Sequence, residues 1–353
     1  MKKTFIDGAS RLEFPTPPPP AFGEVVQIRD GLLWARLPLP YLVDHLNLYF
    51  LRDGAGWAVI DTGIRTEEAL AAWESLLDGP LRGLRLTQVI ATHFHADHIG
   101  LAGWLCQRFR APLLTSLSSY MTSRVLSVPP EEAALRSQAA FYESHGLDQA
   151  TAQFLASGER DYPQRIGPLP EGYSRLASGD VLTIGKRSFQ VLSGDGHAPE
   201  QILLYCARER LLFAADQIME KVTPNITFPT GDRQADPLGH FLRSTGALCA
   251  TIPSDVLVLP GHLRPFIGLH WRFTEIERRL EDRCALIRDA CRQRPASVAE
   301  LVSILYPKQG DPRQIGFAFT ETLAAVNRLI RCGEVTTIRQ GDRLLQATSV
   351  CAA

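Results

Sequence analysis

The segment Thr92-His93-Phe94-His95-Ala96-Asp97-His98-Ile99-Gly100 constrains this chain more than any other feature. Three histidines and an aspartate crowd directly behind the apolar run Gln88–Thr92, which reads as a buried strand. Polar side chains packed at a strand's end each need a hydrogen-bond partner or cost stability. A metal ion satisfies them together, and neutral imidazole and carboxylate are the usual ligands of Zn2+ and related ions. The segment therefore reads as a metal-binding loop.

The remainder of the chain can house such a loop in a large interior. Its 353 residues are 45% hydrophobic and 21% charged, which excludes a disordered chain and suits one large domain with a small one. A formal net charge of -1 gives no global pull toward nucleic acid or anionic lipid. Seven cysteines form an odd set without a CxxC pair, so the expectation is a reducing cytoplasm without a disulfide framework. Asp7 interrupts the N-terminus before an apolar stretch forms, which argues against a secretory signal. No window approaches the ~20 apolar residues that span a bilayer.

Three regions are expected. Residues 1–23 carry Pro15-Thr16-Pro17-Pro18-Pro19-Pro20 and read as an extended arm along the surface. Residues 24–270 alternate short β-like runs with helical ones: strands at 24–28, 32–37, 46–51, 57–60, 88–92, 189–192, 202–206, 211–214 and 256–259, and a helix at 66–77. Strands first and then mixed elements suggest an α/β fold, two sheets covered by helices in an αββα sandwich. A helical insertion at about 116–173 is longer than a sheet connection needs. Beyond 270, Phe273, Ile276, Leu280, Cys284, Ile287 and Cys291 recur at helical spacing. Ser297 and Glu300 make a capping box, and a third stripe runs from Phe319 to Ile330 before Gly333. A hairpin closes the chain, so residues 271–353 resemble a winged helix, a small α+β domain.

His93 to His98 form an HxHxDH motif that resembles the signature of the metallo-β-lactamase superfamily. The companion motifs follow in order: Asp61-Thr62-Gly63 after an early strand, Gly194-Asp195-Gly196-His197, Asp216 after Leu211–Ala215, and Gly261-His262 after the last core strand. The resemblance implies two divalent ions, with zinc as the default and iron or manganese as alternatives. One would be held by His93, His95 and His197, the other by Asp97, His98 and His262, with Asp216 bridging both. Asp61 would steady the histidine loop. Asp97 and Asp216 would be the catalytic carboxylates, orienting a metal-bridging hydroxide that attacks an electrophilic centre.

The same resemblance narrows the chemistry. Common dinuclear β-lactamases have cysteine at the position of Asp216, and flavodiiron proteins have glutamate at that of His95. The set found here is similar to the glyoxalase II branch, which implies a hydrolase of a small ester, a thioester of acyl-CoA or acyl-glutathione type, or a lactone. The alternatives are a nuclease or nucleic-acid-binding regulator using the C-terminal module, or a mono-iron persulfide dioxygenase. Residues 271–353 hold 13 Lys+Arg against 10 Asp+Glu, with Arg328 and Arg331 on the third helix, a thin basic face that makes nucleic acid the weaker expectation. Tyr120, Tyr142, His145 and Arg264 are candidate substrate contacts, and a homodimer through the C-terminal stripes is a further expectation.

Overall fold

The computed structural model describes residues 12–307 and 312–348. A seven-stranded sheet runs in chain order through β1 (Val26–Arg29), β2 (Leu32–Pro38), β3 (His45–Asp53), β4 (Gly56–Ile60), β5 (Leu86–Ile90), β6 (Leu113–Thr115) and β7 (Ser174–Arg175). A six-stranded sheet has the spatial order β13-β12-β11-β10-β9-β8, built from β8 (Val181–Ile184), β9 (Arg187–Gly194), β10 (Gln201–Cys206), β11 (Leu211–Ala215), β12 (Leu257–Pro260) and β13 (Phe266–Ile267). Most neighbouring strands are antiparallel. The pairs β4–β5, β5–β6, β6–β7 and β11–β12 are parallel, and β4–β5 and β11–β12 bring the functional loops to one end of the sandwich.

Strand alternation explains the layers. Successive side chains of a strand face opposite ways. Tyr49 and Leu51 of β3 pack between the sheets with Phe189, Phe213 and Leu259, while Leu46, Leu48 and Phe50 face outward. There they meet α1 (Glu67–Asp78) and α3 (Ala102–Phe109) through Trp73, Leu76 and Leu105. In the second sheet Leu211 and Phe213 point inward, and Leu212 and Ala214 point to the other helical layer. That layer contains α8 (Pro237–Thr251) and α9 (Leu269–Gln293), so the expected αββα sandwich is the observed fold. Helix α8, the two-residue strands β7 and β13, and β8 are elements that the sequence reading does not anticipate.

The insertion after β6 is helical as expected: α4 (Leu117–Leu126), α5 (Glu132–Ser144), α6 (Gln149–Ser157) and α7 (Tyr162–Arg165). The short α2 (Ala96–Ile99) lies within the histidine loop. Along the N-terminal arm, Glu13 pairs with Ile267, and Pro20 accepts a hydrogen bond from Arg36.

The C-terminal region shares the second sheet's core. Helix α9 crosses position 270 without a break, and α10 (Val298–Leu305), α11 (Pro312–Arg331) and the hairpin of β14 (Val335–Gln340) and β15 (Arg343–Thr348) follow in the expected order. Phe273, Ile276, Leu280, Ile287, Leu301, Phe319 and Val326 join Leu212, Val258 and Phe241 in one apolar cluster. The stripes are thus covered by the same chain. The predicted capping box at Ser297 and Glu300 is present, with both reciprocal hydrogen bonds. Polar contacts add to the docking: Arg328 lies 3.2 Å from the buried Asp236 carboxylate, and Arg331 donates to the Gln234 carbonyl at 3.0 Å.

Because Phe273, Ile276 and Leu280 cover apolar surface of the sandwich, truncation after His270 is expected to yield aggregated protein in size-exclusion chromatography. A monomeric, cooperatively melting truncation would show that the two parts do not share a core.

Candidate metal centre

The ligand-type residues sit on loops at the carboxyl ends of four strands: β5 leads into His93–His98, β9 into His197, β11 into Asp216 and β12 into His262. The two sheets are stapled together at this end. Asn47 of β3 donates from its backbone to the Gly261 carbonyl at 2.7 Å and from its side chain to the Pro260 and Leu263 carbonyls at 2.9 Å each. Tyr49 Oη donates to Pro260 O at 2.9 Å, and Ile202 N–H donates to Thr92 O at 2.8 Å. The loops are therefore held on a rigid frame.

Outer hydrogen bonds aim the rings. His98 Nδ1 lies 2.8 Å from Asp61 Oδ2, His197 Nδ1 is 2.8 Å from the Asn225 carbonyl, and His262 Nδ1 is 2.7 Å from the His45 carbonyl. His93 Nδ1 lies 3.0 Å from Thr92 Oγ1. With Nδ1 engaged, each of these four rings turns Nε2 inward, the usual device for fixing a metal-binding histidine. His95 is the exception, presenting Nδ1 at 2.9 Å from His93 Nε2.

Asp61 anchors the arrangement from outside. Its backbone is left-handed, with φ 65°, and its carboxylate accepts from Thr92 N–H at 2.8 Å as well as facing His98. Thr62 and Trp73 extend the clamp: Thr62 Oγ1 donates to His98 O at 2.8 Å, and Trp73 Nε1 donates to Thr62 O at 2.8 Å. Losing the Asp61 carboxylate would orphan buried donors at about 1–3 kcal/mol each.

Three overlapping groups have ligand atoms within 4.8 Å of one another: His93, His95 and His197; His93, His98 and Asp216; and Asp97, His98 and His262. Asp216 lies at their centre. Its Oδ2 is 3.4 Å from His197 Nε2 and 3.3 Å from His262 Nε2, and its Oδ1 is 3.4 Å from His98 Nε2. His98 Nε2 and Asp216 Oδ1 are buried atoms without a hydrogen-bond partner among the described residues. Such orphaned atoms are costly unless a ligand completes them. Convergent imidazole and carboxylate donors with no thiolate suit divalent zinc or its neighbours.

The charge is divided unevenly. Burial lowers the His93, His95 and His197 imidazoles, that of His95 to about 3, so these rings are neutral donors. Burial would also lower His98 and His262, but the surrounding carboxylates outweigh it. Asp216, Asp61 and Asp97 hold His98 well above its ordinary value, and Asp216 and Asp97 raise His262 to about 10. Burial opposes ionisation of Asp216, yet His262 and His98 keep its carboxyl well below the ordinary range.

The structure brings all seven ligand candidates and Asp61 together. It places three of the candidate substrate contacts elsewhere. Tyr120 donates its hydroxyl to the Pro170 and Glu171 carbonyls at 2.7 and 2.9 Å and stacks on Tyr173. Tyr142 is buried edge-to-face against Phe319, and His145 is buried with Nδ1 2.9 Å from the Phe141 carbonyl. Tyr120 and Tyr142 are packing positions, the latter because α11 brings Phe319 over the face of α5 that carries it, and His145 lies away from the cluster at the C-terminal cap of that same helix. Arg264 lies beside the His262 loop, with its guanidinium over the Phe14 ring.

Several residues at the centre escape the sequence reading. His45 reads as an ordinary histidine, yet its Nε2 accepts from Leu263 N–H at 3.0 Å while its carbonyl orients His262. Tyr162, from the insertion, donates to the Phe94 carbonyl, and burial pushes its phenol up to about 12. At the rim, the half-exposed Tyr41 feels the charge of Asp97, and Arg165 Nη1 reaches its hydroxyl at 3.3 Å.

Comparison with known proteins agrees with this geometry. Residues 43–262 match the family described as Metallo-beta-lactamase superfamily, and residues 284–347 match its Metallo-beta-lactamase-like, C-terminal domain. A solved beta-lactamase domain protein from Burkholderia ambifaria is 32% identical, with a TM-score of 0.87 over 96% of this chain and 98% of that one. The probable metallo-hydrolase YqjP of Bacillus subtilis is 22% identical over 89% of this chain and 96% of its own length. A hydroxyacylglutathione hydrolase of Rhodobacter capsulatus is 26% identical over 60% of this chain and 63% of its own length.

Gly261 offers a sharp test of the centre. A Cβ there would come within 2.5 Å of Asp216 Oδ1 and 2.8 Å of His98 Cε1. Gly261→Ala is expected to lower bound metal severalfold while the circular-dichroism spectrum is preserved. Unchanged metal content by elemental analysis would show that these two side chains do not cooperate in holding an ion.

Proposed function

This chain belongs to the metallo-β-lactamase superfamily, and from that premise we propose that it hydrolyses a small ester, thioester or lactone with the help of two divalent ions, zinc by default. The observation that carries the reading is Asp216, whose two oxygens face His98 on one side and His197 and His262 on the other, in reach of both donor sets. The hydroxyacylglutathione hydrolase relative supports the thioester class.

Bound ions would supply an activated water and a Lewis acid. The chain's own residues then divide the remaining work. His93, His95 and His197 present neutral nitrogens from one side, and Asp97, His98 and His262 close the other. Asp97 Oδ2 faces His262 Nε2 at 3.3 Å and His98 Nε2 at 3.6 Å, which leaves Oδ1 to accept a proton from the attacking water. Although burial opposes it, the charges of His98 and His262 hold this carboxyl well below the ordinary range in the metal-free centre, and bound ions would keep it ionised in their place. Its side chain is 16% exposed against 8% for Asp216, so Asp97 is the more open of the two to an entering substrate. Tyr41 and the neighbouring Leu42, 96% exposed, offer an apolar rim for an acyl group on the Asp97 side.

The C-terminal module supports a small substrate rather than a nucleic acid. Phosphate recognition needs free arginines and lysines. Arg328 and Arg331, the cations of α11 expected to face a backbone, are instead turned toward Asp236 and Gln234.

The test is hydrolysis of acyl-glutathione, acyl-CoA and lactone substrates by metal-analysed protein. At least one class should be turned over, and Asp216→Ala should lose activity by orders of magnitude while its melting temperature stays close to that of the parent. Full activity in the folded variant would remove Asp216 from the reaction. One iron per chain with oxygen consumption would replace hydrolysis by dioxygenase chemistry, and sub-micromolar RNA or DNA binding at physiological salt would favour the nuclease.

A further inference from the structure

A cavity of about 430 Å³ lies where α5, the loop before α8, α11 and the terminal hairpin meet. It shares no lining residue with the metal cluster. Its volume falls in the usual range for small-molecule sites. The composition of its walls is specific. Phe141 and Phe228 are stacked, with ring centroids 6.3 Å apart and planes 9° from parallel, and they give a flat apolar surface.

Arg233 and Arg339 also line the cavity, and neither has a carboxylate partner among the described residues. Arg233 lies over the Phe141 ring, 5.5 Å from its centroid. No aspartate or glutamate is part of the lining among the described residues. This contrasts with Arg328 and Arg331 on the same helix bundle, which face the buried Asp236. His145 completes the wall. It is 7% exposed, and with Nδ1 directed at the Phe141 carbonyl its Nε2 has no protein partner among the described residues.

We propose that this cavity is a second ligand site, which takes a small organic anion. A carboxylate or phosphate head would pair with Arg233 and Arg339, an apolar or aromatic body would lie on Phe141 and Phe228, and an O–H or N–H donor would meet His145 Nε2. Two guanidinium groups without a carboxylate partner among the described residues, that of Arg233 above the Phe141 ring, favour such a ligand over a neutral one, because charge-assisted hydrogen bonds and ring contact act together.

The probes are N-acetyl-L-phenylalanine, its uncharged carboxamide, and phenyl phosphate, titrated calorimetrically into the full-length, metal-loaded protein. One or both anions should bind saturably with a single site. The carboxamide should bind about tenfold more weakly or not at all, in line with the loss of a charged hydrogen bond. Arg233→Gln with Arg339→Gln should weaken the anion to a similar degree, and Ser137→Trp, at an exposed wall position, should block it sterically. These exposed changes should leave the melting temperature within a few degrees. Three results would overturn the proposal: no saturable binding of either anion at millimolar concentration, equal binding of the carboxamide, or binding indifferent to the cavity variants but abolished in Asp216→Ala, which would place the probes at the metal cluster.

Discussion

Asp216 facing three imidazoles in a buried pocket is the interaction around which the whole candidate centre is arranged. Its oxygens lie 3.3–3.4 Å from His98, His197 and His262, yet Oδ1 has no hydrogen-bond partner among the described residues. A protein interior does not tolerate such a set without compensation. Metal coordination would supply that compensation, and the surrounding fold makes sense as the frame that holds the donors in place for it. Asp61, Thr62 and Trp73 brace the loop after β5 from one side, and Asn47, Tyr49 and His45 brace the loop after β12 from the other.

This bracing also accounts for the uneven protonation. Burial keeps the His93, His95 and His197 rings neutral, whereas His98 and His262 each face at least two of Asp61, Asp97 and Asp216 and hold protons more tightly. Metal binding must displace such protons, which links affinity to pH in the direction of weaker binding in acid. The C-terminal region contributes differently. It adds no ligand-type residue to the three donor groups, but it covers the outer layer of the second sheet, whose strands β9, β11 and β12 lead into the metal loops.

Much of the centre was legible in the sequence because its polar residues are local or mark strand ends. His93 to His98 are nearly contiguous, and Asp61, His197, Asp216 and His262 each follow a short apolar run, His197 and His262 directly after a glycine. The residues that act through the backbone were not legible. His45 and Asn225 orient ligands with carbonyl groups, and no side-chain type announces that task. Asn47 works on partners more than two hundred positions away. Helix α8 has a cap in Asp236 and proline at its start, but Gly239, Gly246 and several hydroxyl residues blur its periodicity. Tyr142 looked like a residue of the metal-site pocket because an aromatic in an insertion has no local partner. Its partner, Phe319, arrives with α11, late in the chain.

The central claim is that two ions share Asp216. Anomalous diffraction at the zinc edge, from crystals grown without chelator and soaked in zinc, tests it most directly. Two peaks roughly 3.5–4 Å apart are expected, one enclosed by His93, His95 and His197 and the other by Asp97, His98 and His262, with Asp216 in contact with both. A single peak, or two peaks with Asp216 bound to only one, would contradict the account.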